Sequence, residues 1–367
     1  MDIQLHTGYA VYGNTSIING STLFAFDLDH TIIKPQSGKF CKTTLDWEFV
    51  QGMEVSVREI SKHYPVAIFT NQGGVSAGKV SISEVIARIG TVVQMLSDNI
   101  IVFIGLSPRY CKPSPKLYEK LIYGYAPEIT RGFYIGDASD NDVDFSDTDY
   151  RFAKNVGLEY IPVEVFRTIP FTADYIARLS AVAVRRELPR VDVRGYIVAD
   201  GQLTVPTMYP RILAILVGPP GCGKSTYAKT LSGDGWAVVS RDALRQPTAV
   251  QALRAVKAAI PKEGPVHIII DATHPDAKSR EAYLTLAKAQ NMKTCAVVFD
   301  VPIAVAKQMN RARCISGGNY VPEIAYGAFL KRYQAPTMGG NESFDEVITI
   351  NSIPLRANSD QYLDLYF

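Results

Sequence analysis

Apolar residues along this chain fall in short blocks separated by longer stretches of mixed character. Residues 23–26, 66–70, 100–104 and 132–135 are nearly continuous apolar runs, the pattern of strands buried on both faces. Between them, residues 53–63, 83–96 and 115–123 carry apolar side chains at helical spacing. This alternation predicts a parallel sheet covered by helices. The rhythm restarts later. Strands are predicted at 212–217, 236–240, 266–270 and 294–299, and helices at 224–231, 248–260, 276–291, 303–310 and 322–333. Residues 171–210 interrupt it with Arg185-Arg186, Pro189, Pro206 and Pro210. A segment of that length carries some structure of its own: a helix, and a hairpin over 196–198, Gly201 and 203–205. The expected organisation is α/β with two domains, 1–170 and 211–367, joined by a linker at 171–210.

Composition narrows this picture. The chain has 367 residues, 47% hydrophobic and 20% charged, enough for two ordinary folded domains. No apolar run approaches 18 residues, so no membrane span is expected. The start, Met1-Asp2-Ile3-Gln4-Leu5-His6, lacks the basic and apolar regions of a secretory signal. Cys41, Cys111, Cys222, Cys295 and Cys314 are odd in number and widely spaced, with no C-x-x-C. That excludes a disulfide framework or zinc site as an expectation and points to a reducing, intracellular compartment, nucleus or cytoplasm being left open. Charge is uneven. Residues 1–170 carry 15 Lys and Arg against 19 Asp and Glu, while residues 211–367 carry 18 against 13. The basic second half is compatible with a nucleic-acid partner. Much of the acidity of the first half lies between Asp137 and Asp149.

Three predicted strands of the first half end in polar clusters: Asp27-Leu28-Asp29, Thr70-Asn71-Gln72 and Asp137. Ligands of open α/β sheets bind beyond the carboxyl ends of the strands, so these clusters converge on one site. The D-x-D-x-T loop Asp27-Leu28-Asp29-His30-Thr31 suits phosphate-monoester hydrolysis. Asp27 is the candidate nucleophile, and Asp29 the acid that protonates the leaving oxygen and then activates water. Thr70 and Lys112 are placed to donate to the phosphate oxygens, and Asn71 to contact substrate. Asp27, Asp29 and Asp137 form the candidate metal set, with Mg²⁺ the expected ion. A further supporting acid is open among Asp140, Asp142 and Asp149.

The second half holds a P-loop, Gly218-Pro-Pro-Gly221-Cys-Gly223-Lys224-Ser225-Thr226, between an apolar strand and a helix. Gly218, Gly221, Gly223, Lys224, Ser225 and Thr226 would cradle the phosphates of ATP, with Lys224 at the β/γ-phosphates and Ser225 at Mg²⁺. Asp242 is the candidate base for an attacking hydroxyl, and Arg245 the grip on a neighbouring substrate phosphate. Asp271 ends its strand in the manner of a second Mg²⁺-holding acid. Arg311 and Arg313 are expected on a mobile lid that brings guanidinium to the transferring phosphoryl group.

One motif removes phosphate and the other adds it, which suggests two different positions on one kind of substrate. With these residues stand Ser37-Gly38-Lys39, Asp46-Trp47, Gly78-Lys79, Cys111-Lys112-Pro113, Tyr134-Ile135-Gly136-Asp137, Phe152-Ala153, Ser279-Arg280 and Gln334-Ala335-Pro336-Thr337. In this order the chain resembles the polynucleotide 5′-kinase/3′-phosphatase enzymes of DNA end repair, phosphatase first, over nearly its whole length. The resemblance implies a haloacid-dehalogenase-like phosphatase domain followed by an adenylate-kinase-like P-loop domain. It also implies Mg²⁺ and ATP as cofactors, DNA ends as substrates and a ligase acting downstream. It places Arg311 or Arg313 at the transition state. Two positions depart from the family: His30 stands where Gly is usual, and Ala77 where Arg is expected. RNA ends are an alternative target, and a fused metabolite kinase and phosphatase is a second. A non-enzymatic end-binding protein is opposed by the intact Asp27, Asp29, Lys224 and Asp242. Oligomeric state is not legible, and no membrane partner is expected.

Overall fold

The eight predicted strands form where the apolar runs lie. A computed structural model describes residues 2–13, 19–38, 41–138, 146–198, 209–233, 235–244, 248–340, 342–354 and 360–367. The chain divides into two compact units, Met1–Pro189 with Leu365–Phe367, and Arg190–Asp364.

The first unit contains strands β1 (Asp2–His6), β2 (Tyr9–Gly13), β3 (Thr22–Phe26), β4 (Ile33–Lys34), β5 (Glu48–Phe49), β6 (Val66–Asn71), β7 (Ile100–Gly105), β8 (Arg131–Gly136) and β9 (Glu159–Pro162). Its helices are α1 (Met53–Ser61), α2 (Gly73–Ser76), α3 (Ile82–Leu96), α4 (Lys116–Gly124), α5 (Thr148–Val156), α6 (Val163–Phe166) and α7 (Tyr175–Val182). Among the described residues the main sheet runs β1-β2-β7-β6-β3-β8-β9. The strands from β7 to β9 are parallel, and β1–β2 adds an antiparallel edge. Side chains alternate across β3, which fixes its register against both cores. Phe24 and Phe26 pack with Met53, Val57, Val85 and Ile89 of α1 and α3. Leu23 and Ala25 face the opposite core, with Leu117, Leu121 and Phe152 of α4 and α5. The Ser81/Glu84 capping box starts α3.

The expected linker is not a separate segment at its N-terminal side. Tyr175 and Leu179 of α7 bury in the core of the first unit, because their spacing of four gives the short helix an apolar face. Leu188 packs into the other core of the same unit. Of the expected hairpin, β10 (Ile197–Val198) pairs in parallel with β16 (Ile353–Pro354), and the rest lies outside the described residues.

In the second unit β11 (Arg211–Val217), β12 (Ala237–Ser240), β13 (Val266–Asp271), β14 (Lys293–Phe299) and β15 (Glu346–Ile350) form a parallel sheet ordered β12-β13-β11-β14-β15. The helices are α8 (Lys224–Gly233), α9 (Ala249–Ala259), α10 (Ala277–Ala289), α11 (Ile303–Ile315) and α12 (Ile324–Arg332). Thr248 caps α9, and Asp276 with Ser279 forms a capping box on α10. No helix among the described residues is long and apolar enough to cross a membrane.

Candidate active sites

In the first unit β3, β6 and β8 deliver Asp27, Thr70 and Asp137 to one end of the sheet. Asp27 follows β3 directly, and its backbone N–H donates to Ile135 O on β8 (2.9 Å). The next turn places His30 at φ 65°, in the left-handed region. That conformation costs a residue with a Cβ about 1–2 kcal/mol, which glycine avoids.

Lys112 organises the centre. Its Nζ donates to Asp27 Oδ1 (2.5 Å), Asp149 Oδ1 (2.6 Å) and the Tyr134 hydroxyl (2.8 Å). Its backbone N–H donates to Asn71 Oδ1 (2.7 Å), and Asn71 Nδ2 donates back to Lys112 O (3.1 Å). Asn71 is thus the bracket that holds Lys112 in place. Burial disfavours the ammonium, but Asp149 and Asp27 outweigh it and hold the Lys112 pKa above its ordinary value. Burial pushes the Asp27 carboxyl well above the usual range, with Asp149 and Asp137 adding to the shift and Lys112 opposing it. Asp137 is raised by burial and then by Asp149.

Carboxylate oxygens of Asp27, Asp137 and Asp149 lie within 4.8 Å of one another. Three carboxylates beside one ammonium leave two negative charges in excess in a buried site. An all-oxygen donor set with that excess fits a small divalent cation. Gly136 permits it, because a Cβ there would stand 2.4 Å from Asp149 Oδ2. Asp29 lies outside this group of three. Its Oδ2 accepts from Gln72 Nε2 (2.7 Å) and Thr70 Oγ1 (3.3 Å). Gln72 also donates to Thr70 Oγ1 (2.8 Å), and its Oε1 accepts from Arg88 Nη2 (3.3 Å). Thr70 is therefore beside Asp29. Gln72 belongs to one of the polar clusters expected to converge here, though without a role there, whereas Arg88 was not expected; its signal is a cation on the apolar face of α3, among Val85, Ile89 and Val92. Asp140 and Asp142 lie outside the described residues.

In the second unit the P-loop leaves the central strand β11 and opens α8. Gly218, Gly221 and Gly223 have φ of 158°, 79° and 94°. The loop runs against α11: a Cβ on Gly221 would meet Ala306 O at 2.3 Å. Lys224 is buried and donates from Nζ to Gly218 O (2.9 Å) and Pro219 O (2.6 Å). Ser225 is exposed, and Thr226 half-buried, at the start of α8. Asp271 is buried at the end of β13, paired in register with Ser240 of β12. Asp242 is exposed in the 3-10 turn Arg241–Ala243 that follows. The topology thus brings Lys224, Asp271 and Asp242 to one end of the sheet. Arg245 lies outside the described residues.

The expected lid has a different setting. α11 continues through both arginines to Ile315, because Val305, Ala306, Met309, Ala312 and Ile315 extend its buried face past residue 310. Arg311 sits 4.8 Å over the Tyr320 ring and 3.7 Å from Glu323. Arg313 Nη2 donates to Asn310 Oδ1 (2.9 Å). Arg280 is fully buried, with Nε and Nη2 on the two Glu342 oxygens (2.7 and 2.6 Å) and Nη1 on His274 O (2.9 Å). It anchors the loop that follows Asp271. His274 in that loop is buried, with Nδ1 2.9 Å from Leu216 O, and burial brings its pKa down to about 4.

Fold and centres define two phosphate-handling domains, a phosphatase followed by a P-loop nucleotide-binding domain. Residues 22–166 match the family model described as polynucleotide kinase 3 phosphatase, and residues 213–336 match an AAA domain model. A bifunctional polynucleotide phosphatase/kinase of Schizosaccharomyces pombe is 26% identical over 348 residues, covering 92% of this chain and 80% of the relative. A protein of Acanthamoeba polyphaga mimivirus described in the same terms is 27% identical, covering 89% and 83%. A polynucleotide 3′-phosphatase of Saccharomyces cerevisiae is 27% identical over 212 residues, covering 40% of this chain and 88% of the relative. The chain thus resembles the polynucleotide phosphatase/kinases along most of its length, in the phosphatase-first order. Each half is built on the helix-covered parallel sheet expected from the sequence, the first matching the phosphatase model and the second the AAA domain model.

Proposed function

We propose that this chain heals nucleic-acid ends, with DNA the principal target. The first unit hydrolyses a 3′-phosphate and the second transfers the γ-phosphoryl group of ATP to a 5′-hydroxyl. The products, 3′-hydroxyl and 5′-phosphate, are the ends that a ligase joins. The observation that carries this reading is the pair of centres in one chain, Asp27 with Lys112 and Lys224 with Asp271, in a sequence similar along 92% of its length to a polynucleotide phosphatase/kinase.

Asp27 attacks phosphorus and takes the phosphoryl group as an acyl phosphate. Lys112 neutralises the oxygens that gain charge. Asp29, held by Gln72 and Thr70, gives its proton to the departing 3′-oxygen and afterwards takes one from water. Asp27, Asp137 and Asp149 would hold Mg²⁺, which offsets the repulsion between carboxylates and phosphate. In the second unit Lys224 and the loop N–H groups bind ATP, Ser225 and Asp271 would hold its Mg²⁺, and Asp242 takes the proton of the 5′-hydroxyl. Arg311 and Arg313 lie on the helix that packs against the P-loop and supply guanidinium to the transferring group. A reducing intracellular compartment is part of this reading, on the odd number and wide spacing of the cysteines in the sequence.

The test is a nicked duplex carrying 3′-phosphate and 5′-hydroxyl, incubated with ATP and Mg²⁺ and scored at both ends, beside a matched RNA nick. Asp27→Ala is expected to remove only the 3′ reaction and Lys224→Ala only the 5′ reaction. No change at either end of any polynucleotide sinks the reading, and faster healing of the RNA nick sinks the preference for DNA.

A further inference from the structure

We propose that a groove between the β1–β2 edge and α4 binds the single-stranded segment leading into the 3′-phosphate, by stacking its bases and pairing its phosphates. This rests on the nucleic-acid reading above and adds a binding site to it.

The groove has a volume of about 420 Å³. One side is lined by His6, Tyr9 and Val11 of β1 and β2, and the turn between these strands is pinned to the loop after β7. Leu106 and Ser107 N–H both donate to Gly8 O, at 3.0 and 3.1 Å. Gly8 has φ 90°, and a Cβ there would stand 2.6 Å from Ser107 Oγ, so glycine permits the approach. The pinning lines up three rings. His6 stacks on Tyr9 with centroids 4.5 Å apart at 12°, and Tyr9 packs on Tyr110 at 4.5 Å. The Arg109 guanidinium lies 5.6 Å from the Tyr110 centroid. The facing wall is α4, which contributes Lys116, Lys120 and Tyr123. Tyr123 is 87% exposed, an aromatic face with no covering side chain among the described residues.

Charge selects the kind of ligand. Arg109, Lys116 and Lys120 line the groove against the single acid Glu119, and that acid is paired with Lys116 at 2.6 Å. The excess is cationic, so the ligand is anionic. Rings with a guanidinium beside them suit planar bases joined by phosphates, whereas an acidic peptide would use the cations and leave the rings idle. Position ties the groove to the phosphatase centre. Arg109 and Tyr110 precede Lys112 by three and two residues, and Lys112 Nζ touches Asp27. Even fully extended, that chain keeps the Arg109 Cα within about 11 Å of the Lys112 Cα. A nucleotide or two next to the terminal phosphate spans such a gap. None of the phosphatase steps employs these side chains.

The experiment compares the full chain with Tyr123→Ala, Lys120→Ala and their double variant, all at exposed positions. The 3′-phosphatase kcat and KM are measured on oligonucleotides of two and of eight nucleotides, on an eight-mer abasic next to its last nucleotide, and on p-nitrophenyl phosphate. The expected result is a KM for the eight-mer raised ~10-fold in the double variant with kcat kept, since one stacked base contributes ~1–3 kcal/mol, equivalent to ~5- to 150-fold. The effect is expected to shrink on the dinucleotide and the abasic strand. An unchanged eight-mer KM overturns the groove, as does an equal loss on p-nitrophenyl phosphate, or competition by oligoglutamate as strong as by an oligonucleotide of equal charge. A wild-type chain that hydrolyses p-nitrophenyl phosphate but no 3′-phosphorylated oligonucleotide of any length refutes the functional reading instead.

Discussion

Lys112 Nζ lies 2.6 Å from Asp149 Oδ1, with both side chains almost wholly buried. The pair joins the loop after β7 to α5 and leaves the second Asp149 oxygen to accept from Ala138 N–H (3.2 Å). Asp149→Asn keeps the shape and removes the charge. It weakens one of the three carboxylates that would hold Mg²⁺ and removes the charge facing Lys112, so 3′-phosphatase activity is expected to fall by at least the ~10–100-fold that losing an outer-shell partner costs. The 5′-kinase, in the other unit, is the internal control. A phosphatase rate within twofold of wild type would refute the role.

Gly136→Ala reaches the same carboxylate by a different route. The added methyl group would meet Asp149 Oδ2 at 2.4 Å, so either β8 or α5 must move. Overpacking of this kind costs about 1–3 kcal/mol. Denaturant midpoints of the phosphatase transition are expected to fall, and its activity to fall further than stability alone explains. Full activity would mean that Asp149 tolerates displacement.

Asp242→Asn is expected to slow phosphoryl transfer by roughly 10²–10⁴-fold while ATP affinity stays near wild type. Asp242 is exposed in its 3-10 turn and is not part of the P-loop, where Lys224 contacts Gly218 O. Lys224→Ala is expected to weaken nucleotide binding itself. Calorimetric ATP titrations beside single-turnover kinase assays separate the two, and a parallel loss of ATP affinity in Asp242→Asn would argue against a base.

His274 sets an acid limit on the second unit. Its pKa is about 4 in the folded chain against 6.5 ordinarily, through burial first and then the nearby Lys224, Arg280 and Arg241. Between those values the unfolded chain binds a proton that the folded chain refuses. The stability involved is therefore complete above pH ~6.5 and is lost as pH falls toward ~4, by about 3 kcal/mol at most. In NMR titrations its ring signals should stay flat through pH 6. His274→Asn should flatten the acid limb of the unfolding midpoint, and an ordinary titration near pH 6.5 would contradict the burial argument.

The parts of these centres that were legible are those set by local order. Apolar runs marked the central strands of both sheets, and polar residues at their ends, Asp27, Thr70, Asp137 and Asp271, followed the rule for parallel sheets. What was illegible depends on partners distant in sequence. β1 is mostly exposed and has no apolar run, so only its pairing with β2 makes it a strand. The stretch from Asn310 to Arg313 looks polar, and the helix continues through it because Ala312 and Ile315 prolong the buried face of α11. Asp149 was one of three competing acids until α5 brought it to Lys112.

Tyr366 is buried in the core of the first unit, with Asn155 accepting from its backbone N–H (2.8 Å) and donating to its carbonyl (3.0 Å). Covalently, it follows the whole of the second unit. On a translating ribosome, at about 5–20 residues per second, the phosphatase core would wait on the order of 10 s for this side chain after its own helices had emerged. A fragment cut at Pro189 would never receive it, so the N-terminal half expressed alone starts with a gap in its wall.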